Sequence, residues 1–70
     1  MNKQELTQLI KFDILLDKIS IIEQTIQEIQ QTNPENTQLL QILLVRQKDL
    51  KYQCQKQYDK VKNYYLTQLI

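Results

Sequence analysis

QQTNPENTQLL, residues 30–40, holds the only proline of a 70-residue chain that has no glycine and no alanine, and it lies near the middle. Asn33 is suited to cap the start of a helix, Pro34 has its φ preset for a first helical position, and Glu35 would meet the positive end of the helix dipole. Proline also disfavours helical geometry in the residue before it, so a preceding helix has to end near Gln31 or Thr32. A helix stop and a helix start within about three residues usually join antiparallel neighbours. The stretch therefore reads as the tip of a helical hairpin, with one long helix kinked at Pro34 as the alternative.

Outward from this tip, both halves carry helical spacing. The lack of glycine and the abundance of Leu, Ile, Gln, Lys and Glu favour helix over sheet, whose turns need residues this chain lacks. Before the tip, Phe12, Leu15, Ile19, Ile22, Ile26 and Ile29 step by three and four, the pattern of a seam between helices. After it, Leu40, Leu43, Leu50, Cys54, Val61 and Tyr64 keep the same spacing, with Gln47 and Gln57 interrupting the seam and Leu44, Tyr58 and Tyr65 widening it. A glutamine in a seam weakens packing while restricting register. Asn2 with Glu5 three residues later resembles a capping box and starts the first helix near Lys3. The expected organisation is one all-α unit over 1–70, an antiparallel coiled-coil-like hairpin with helix 1 at about 3–31, the turn at about 32–34 and helix 2 at about 34–69.

A chain this short buries a modest share of its surface and usually needs a staple, a metal or a partner. One cysteine and no histidine leave no internal disulfide and none of the usual zinc ligand sets. The apolar surplus points to a partner instead. Leu6, Ile10, Ile14 and Ile21 add a second apolar face to helix 1, mostly far from the turn, and Leu39 to Val45, with Leu39, Ile42, Leu44 and Val45, are apolar all round next to it. Two hairpins with their turns at opposite ends would bring these patches together about a two-fold axis, so an antiparallel four-helix bundle of two identical chains is expected. Helical subunits of a larger complex are the other candidate partners. Helix 2 should also outrun helix 1 by on the order of 10 Å, projecting Tyr64, Tyr65, Leu66, Leu69 and Ile70 as docking anchors or as the cap of the bundle.

Charge divides along the same line. Residues 1–33 carry three lysines against five acids, and residues 34–70 carry six basic residues against three acids, as suits two halves folded onto each other. Arg46, Lys48, Lys51, Lys56, Lys60 and Lys62, with Tyr52 and Tyr58 among them, give helix 2 a basic character, so a nucleic-acid face is the rival reading. Asp49 and Asp59 dilute it. In length and architecture the chain resembles the small plasmid-encoded RNA-binding helical hairpins that dimerise into a four-helix bundle, which implies an RNA-binding regulator. NPENTQLL, residues 33–40, is similar to the turn of type III secretion needle subunits, with Thr37 in place of their second proline, which implies a small secretion-system subunit or chaperone. The serine, glutamine, leucine, aspartate signature of small sporulation phosphatases does not occur in helix 2.

Catalysis finds little to work with. There is no histidine, Ser20 has no base at a suggestive spacing, and no glycine lets backbone approach a phosphate. Asp13 and Asp17 share a helix face as a solvated pair, and Cys54 sits at a seam position as a small apolar residue. No cofactor is implied. No stretch approaches the roughly 20 apolar residues of a membrane span, and the start, MNKQELTQLIKFD, has no continuous apolar core with a small-residue cleavage site. A non-enzymatic, intracellular adaptor or structural subunit that oligomerises through helix packing is the reading these features favour.

Overall fold

The computed structural model describes residues 2–69, with side chains as far as Tyr64. Two helices, α1 (Lys3–Thr32) and α2 (Thr37–Leu69), fold back on each other as a hairpin with extents of 49 × 18 × 16 Å. At both starts an asparagine takes up an orphan amide. The Asn2 Oδ1 accepts from the Glu5 N–H at 2.8 Å, the first half of a capping box, while the second contact, at 3.5 Å, runs from the Asn2 side-chain amide and not its backbone N–H to the Glu5 carboxylate. Within α1 the hydroxyls of Thr7, Thr25 and Thr32 each donate to the carbonyl four residues earlier, so these β-branched polar side chains sit in the helix with their donors satisfied.

The turn differs from the sequence reading. Asn33 does not cap α2 and Pro34 is not its first residue. Asn33 closes α1 instead, its N–H bonded to the Ile29 carbonyl at 2.7 Å, and its own carbonyl accepts from the Asn36 N–H at 3.2 Å. That bond makes 33–36 a β-turn with Pro34 at its second position, where the fixed proline φ is favoured. Asn36 is the cap of α2: its Oδ1 accepts from the Leu39 N–H at 3.3 Å and its carbonyl from the Leu40 N–H at 3.1 Å. The reason is reach, because four linking residues give the chain room to cross the 8–10 Å between packed helix axes. No described residue has a positive φ, so this turn suits a chain without glycine. The later start also shortens α2. At 33 residues against 30 it exceeds α1 by three residues, about 5 Å at a 1.5 Å rise, half the expected overhang.

The seam runs the length of the hairpin. In seven-residue notation with a and d facing the other helix, Phe12, Ile19 and Ile26 are a and Leu15, Ile22 and Ile29 are d in α1. Leu40, Gln47, Cys54 and Val61 are a and Leu43, Leu50, Gln57 and Tyr64 are d in α2. Every one of these side chains is buried or half-buried, and Val61 is fully enclosed. Extending the count backward puts Glu5 at a and Gln8 at d, both half-buried.

The cap assignment has a direct check. Asn36→Ala should lower unfolding free energy by about 1 kcal/mol, the usual worth of an asparagine cap, and Asn33→Ala by clearly less. Urea denaturation of the two variants reads the difference; equal losses would return the cap to Asn33.

Candidate interaction surfaces

Two sides flank the seam. The position after d, e, lies on one side of both helices in an antiparallel pair, and the position before a, g, on the other. Each side holds a shallow groove between the helices. On the e side Phe12 and Ile19 from α1 and Lys51, Cys54, Gln55 and Tyr58 from α2 line one groove. On the g side Lys18, Ile21 and Ile22 from α1 and Arg46, Asp49, Leu50 and Gln53 from α2 line the other.

The chemistry of the two sides is unlike. Leu9, Leu16, Leu44 and Tyr58 occupy e positions, with Leu16 45% and Tyr58 44% exposed, and the Phe12 and Tyr58 rings lie 5.9 Å apart at 42°. Lys11, Lys18, Arg46 and Lys60 occupy g positions, all exposed, with no acidic residue at any g position of either helix. Sequence reading leaves Leu9 and Leu16 unassigned. The signal for them lies in the seven-residue count, which puts both at e once Phe12 is fixed at a.

Polar residues inside the seam are paired. The Gln57 side chain, 7% exposed, donates to the Gln8 side-chain oxygen at 2.8 Å and to the Gln8 carbonyl at 2.9 Å. Gln47 donates to the Glu23 carboxylate at 3.1 Å, and the Lys51 ammonium lies 3.3 Å from the same carboxylate. Among the described residues no buried polar side-chain atom lacks a partner. These bonds tie α1 to α2 at two heights, 49 and 24 residues apart in sequence. The exposed Glu23–Lys51 pair adds at most about 1 kcal/mol and is screened by salt.

The residues assigned to partner contact do not share one surface. Leu6, Ile10, Ile14 and Ile21 are all exposed, Ile21 at 62%, but they spread around α1: Ile10 faces directly away from α2, Leu6 flanks the e side, and Ile14 and Ile21 flank the g side, where Ile21 lines the groove. On α2, Val45, 70% exposed, faces directly away from α1, and Ile42 flanks the g side. Leu39 falls on the g side and Leu44 on the e side, and both are exposed. Tyr64 is half-buried at the end of the seam. The side chains of Tyr65, Leu66, Leu69 and Ile70 lie outside the described residues.

The basic residues of α2 divide in the same way. Arg46, Lys56 and Lys60 turn toward the g side, while Lys48 and Lys51 turn toward the e side, so these five do not form one face. Lys51 holds Glu23, Lys62 lies 3.9 Å from Asp59, and the Lys56 ammonium sits 4.7 Å from the Tyr52 ring centre. Asp13 and Asp17 are both exposed, and the described residues contain no group of three potential metal ligands. Cys54 is a buried free thiol in the seam. Among the described residues no helix is long and apolar enough to cross a membrane. Comparison with known proteins finds no family model, no curated protein and no solved structure that matches this chain.

The Gln8–Gln57 bond should appear as a coupling energy of about 1 kcal/mol in a double-mutant cycle of Gln8→Ala and Gln57→Ala followed by chemical denaturation. Additive losses would mean that the two amides act independently.

Proposed function

We propose that this chain is a non-enzymatic interaction module that completes its core by packing against other helices, first of all those of a second copy in a four-helix bundle. One observation carries the reading. Among the described residues the hairpin buries four apolar side chains, Ile26, Leu50, Cys54 and Val61, while eleven large apolar or aromatic ones stay exposed. That ratio fits one part of a larger core better than a finished one. Size is consistent with it, because a specific interface takes about 800 Å² from each partner and one 49 × 18 Å side of the hairpin is of that order. The outward-facing Ile10 and Val45, with Ile14 and Ile42 on the g side, leave further surface for helices of a larger assembly.

Nucleic-acid binding is the second reading, and the row of Lys11, Lys18, Arg46 and Lys60 on the g side favours it. Phosphate binding by such a row falls steeply with added salt. RNA retardation at low salt that Lys18→Glu removes would support this role, and none at low salt would end it.

Sedimentation equilibrium of the purified chain at micromolar concentration tests the main proposal. A species heavier than one chain is expected, and Leu16→Lys should weaken its association at least about tenfold, about 1.4 kcal/mol, with helical content unchanged. A stable monomer would defeat self-association.

A further inference from the structure

We infer that the second copy seats on the e side with its turn at the same end as the first, so that α1 of each chain lies over α2 of the other. This rests on the self-association proposed above and adds the face and the orientation.

The choice of face follows from charge. A two-fold axis sets each side against itself. On the g side this would bring two rows of Lys11, Lys18, Arg46 and Lys60 together, with only Asp49 of that groove to offset the opposed like charges. The e side has no such row. The outer edges cannot serve a single two-fold contact either, because Ile10 faces outward from α1 and Val45 outward from α2, in opposite directions.

The choice of orientation follows from how the e side divides along its length. Its half far from the turn is mostly apolar, with Leu9 and Leu16 one helical turn to either side of Phe12 and the Tyr58 ring beside Phe12, and Gln55 the polar residue of the groove there. Its middle, nearer the turn, holds the polar cluster of Glu23, Gln47 and Lys51. Turns at opposite ends would lay the apolar half of one copy over the polar cluster of the other and desolvate charges against leucine. Turns at the same end lay apolar on apolar. They also bring α1 over α2, so that Glu23 of each copy faces Lys51 of the other and the two pairs merge into a group of alternating charge.

A pulsed electron-spin distance between labels on Glu35→Cys, at the turn, separates the arrangements. The background is Cys54→Val, so that only residue 35 is labelled. With turns at the same end the labels should lie about 10–20 Å apart, set by the 8–10 Å spacing of packed helices and the label arms. A separation near the 49 Å length of the hairpin would overturn this orientation while leaving self-association intact. A monomer by light scattering on the same sample would overturn both. Should Cys54→Val unfold, Glu35→Cys in the native background gives the answer through a short bis-maleimide, because the buried Cys54 thiol is shielded. A covalent dimer is expected, and none from a sample that scatters as a dimer would again reject the arrangement.

Discussion

Two helices of 30 and 33 residues have to keep the same side turned toward each other for some 45 Å, and an unbroken seven-residue spacing on both makes that possible. A straight helix drifts by about 20° per seven residues against such a spacing, so the pair must coil slightly about each other to hold the seam closed. Everything else in the molecule is placed by this seam. It decides which side chains are e and which are g, and hence which surface is apolar and which is cationic. Its polar members are part of the constraint, since Gln57 has hydrogen-bond partners only where Gln8 stands opposite, and Gln47 only opposite Glu23. A shifted register would leave a buried amide without a partner, which costs about 1–3 kcal/mol.

A pair of helices also has a limit. Each helix can hide one stripe against the other, and this chain has apolar residues well beyond one stripe. Leu6 to Leu16 in α1 and Leu39 to Val45 in α2 carry apolar side chains around most of the helix, at opposite ends of the hairpin. In a larger protein such segments would be interior helices. Under the proposed self-association they are the surface that a second copy covers, and the polar Glu23, Gln47 and Lys51 group between them would set its direction.

Much of the hairpin is legible in the order of its residues. The seam residues Phe12, Leu15, Ile19, Ile22, Ile26 and Ile29, and their counterparts in the second half, follow from spacing alone because side-chain direction in a helix repeats with a fixed period. The turn is harder to read. NPEN offers two asparagines that can cap, and local preference favours Asn33 before proline. Asn36 wins because the link must also carry the chain across to an antiparallel neighbour, a demand that no local rule contains. Starting α2 at Pro34 instead lengthens that helix by three residues and doubles the expected overhang.

The candidate surfaces show the same division. That Arg46, Lys48, Lys51, Lys56 and Lys60 lie on one helix is a fact of sequence, but whether they share a face depends on where the seam cuts the helix, and it cuts between them. Likewise the row of Lys11 and Lys18 with Arg46 and Lys60 exists only once two helices run antiparallel. The amino-acid sequence by itself determined two amphipathic helices, the seam that joins them and a surplus of apolar surface, because periodicity and composition are local properties. Only tertiary structure decided the partner of Gln57, the cap of α2 and the unlike character of the two sides, because each brings together residues distant in the chain at one height of the hairpin.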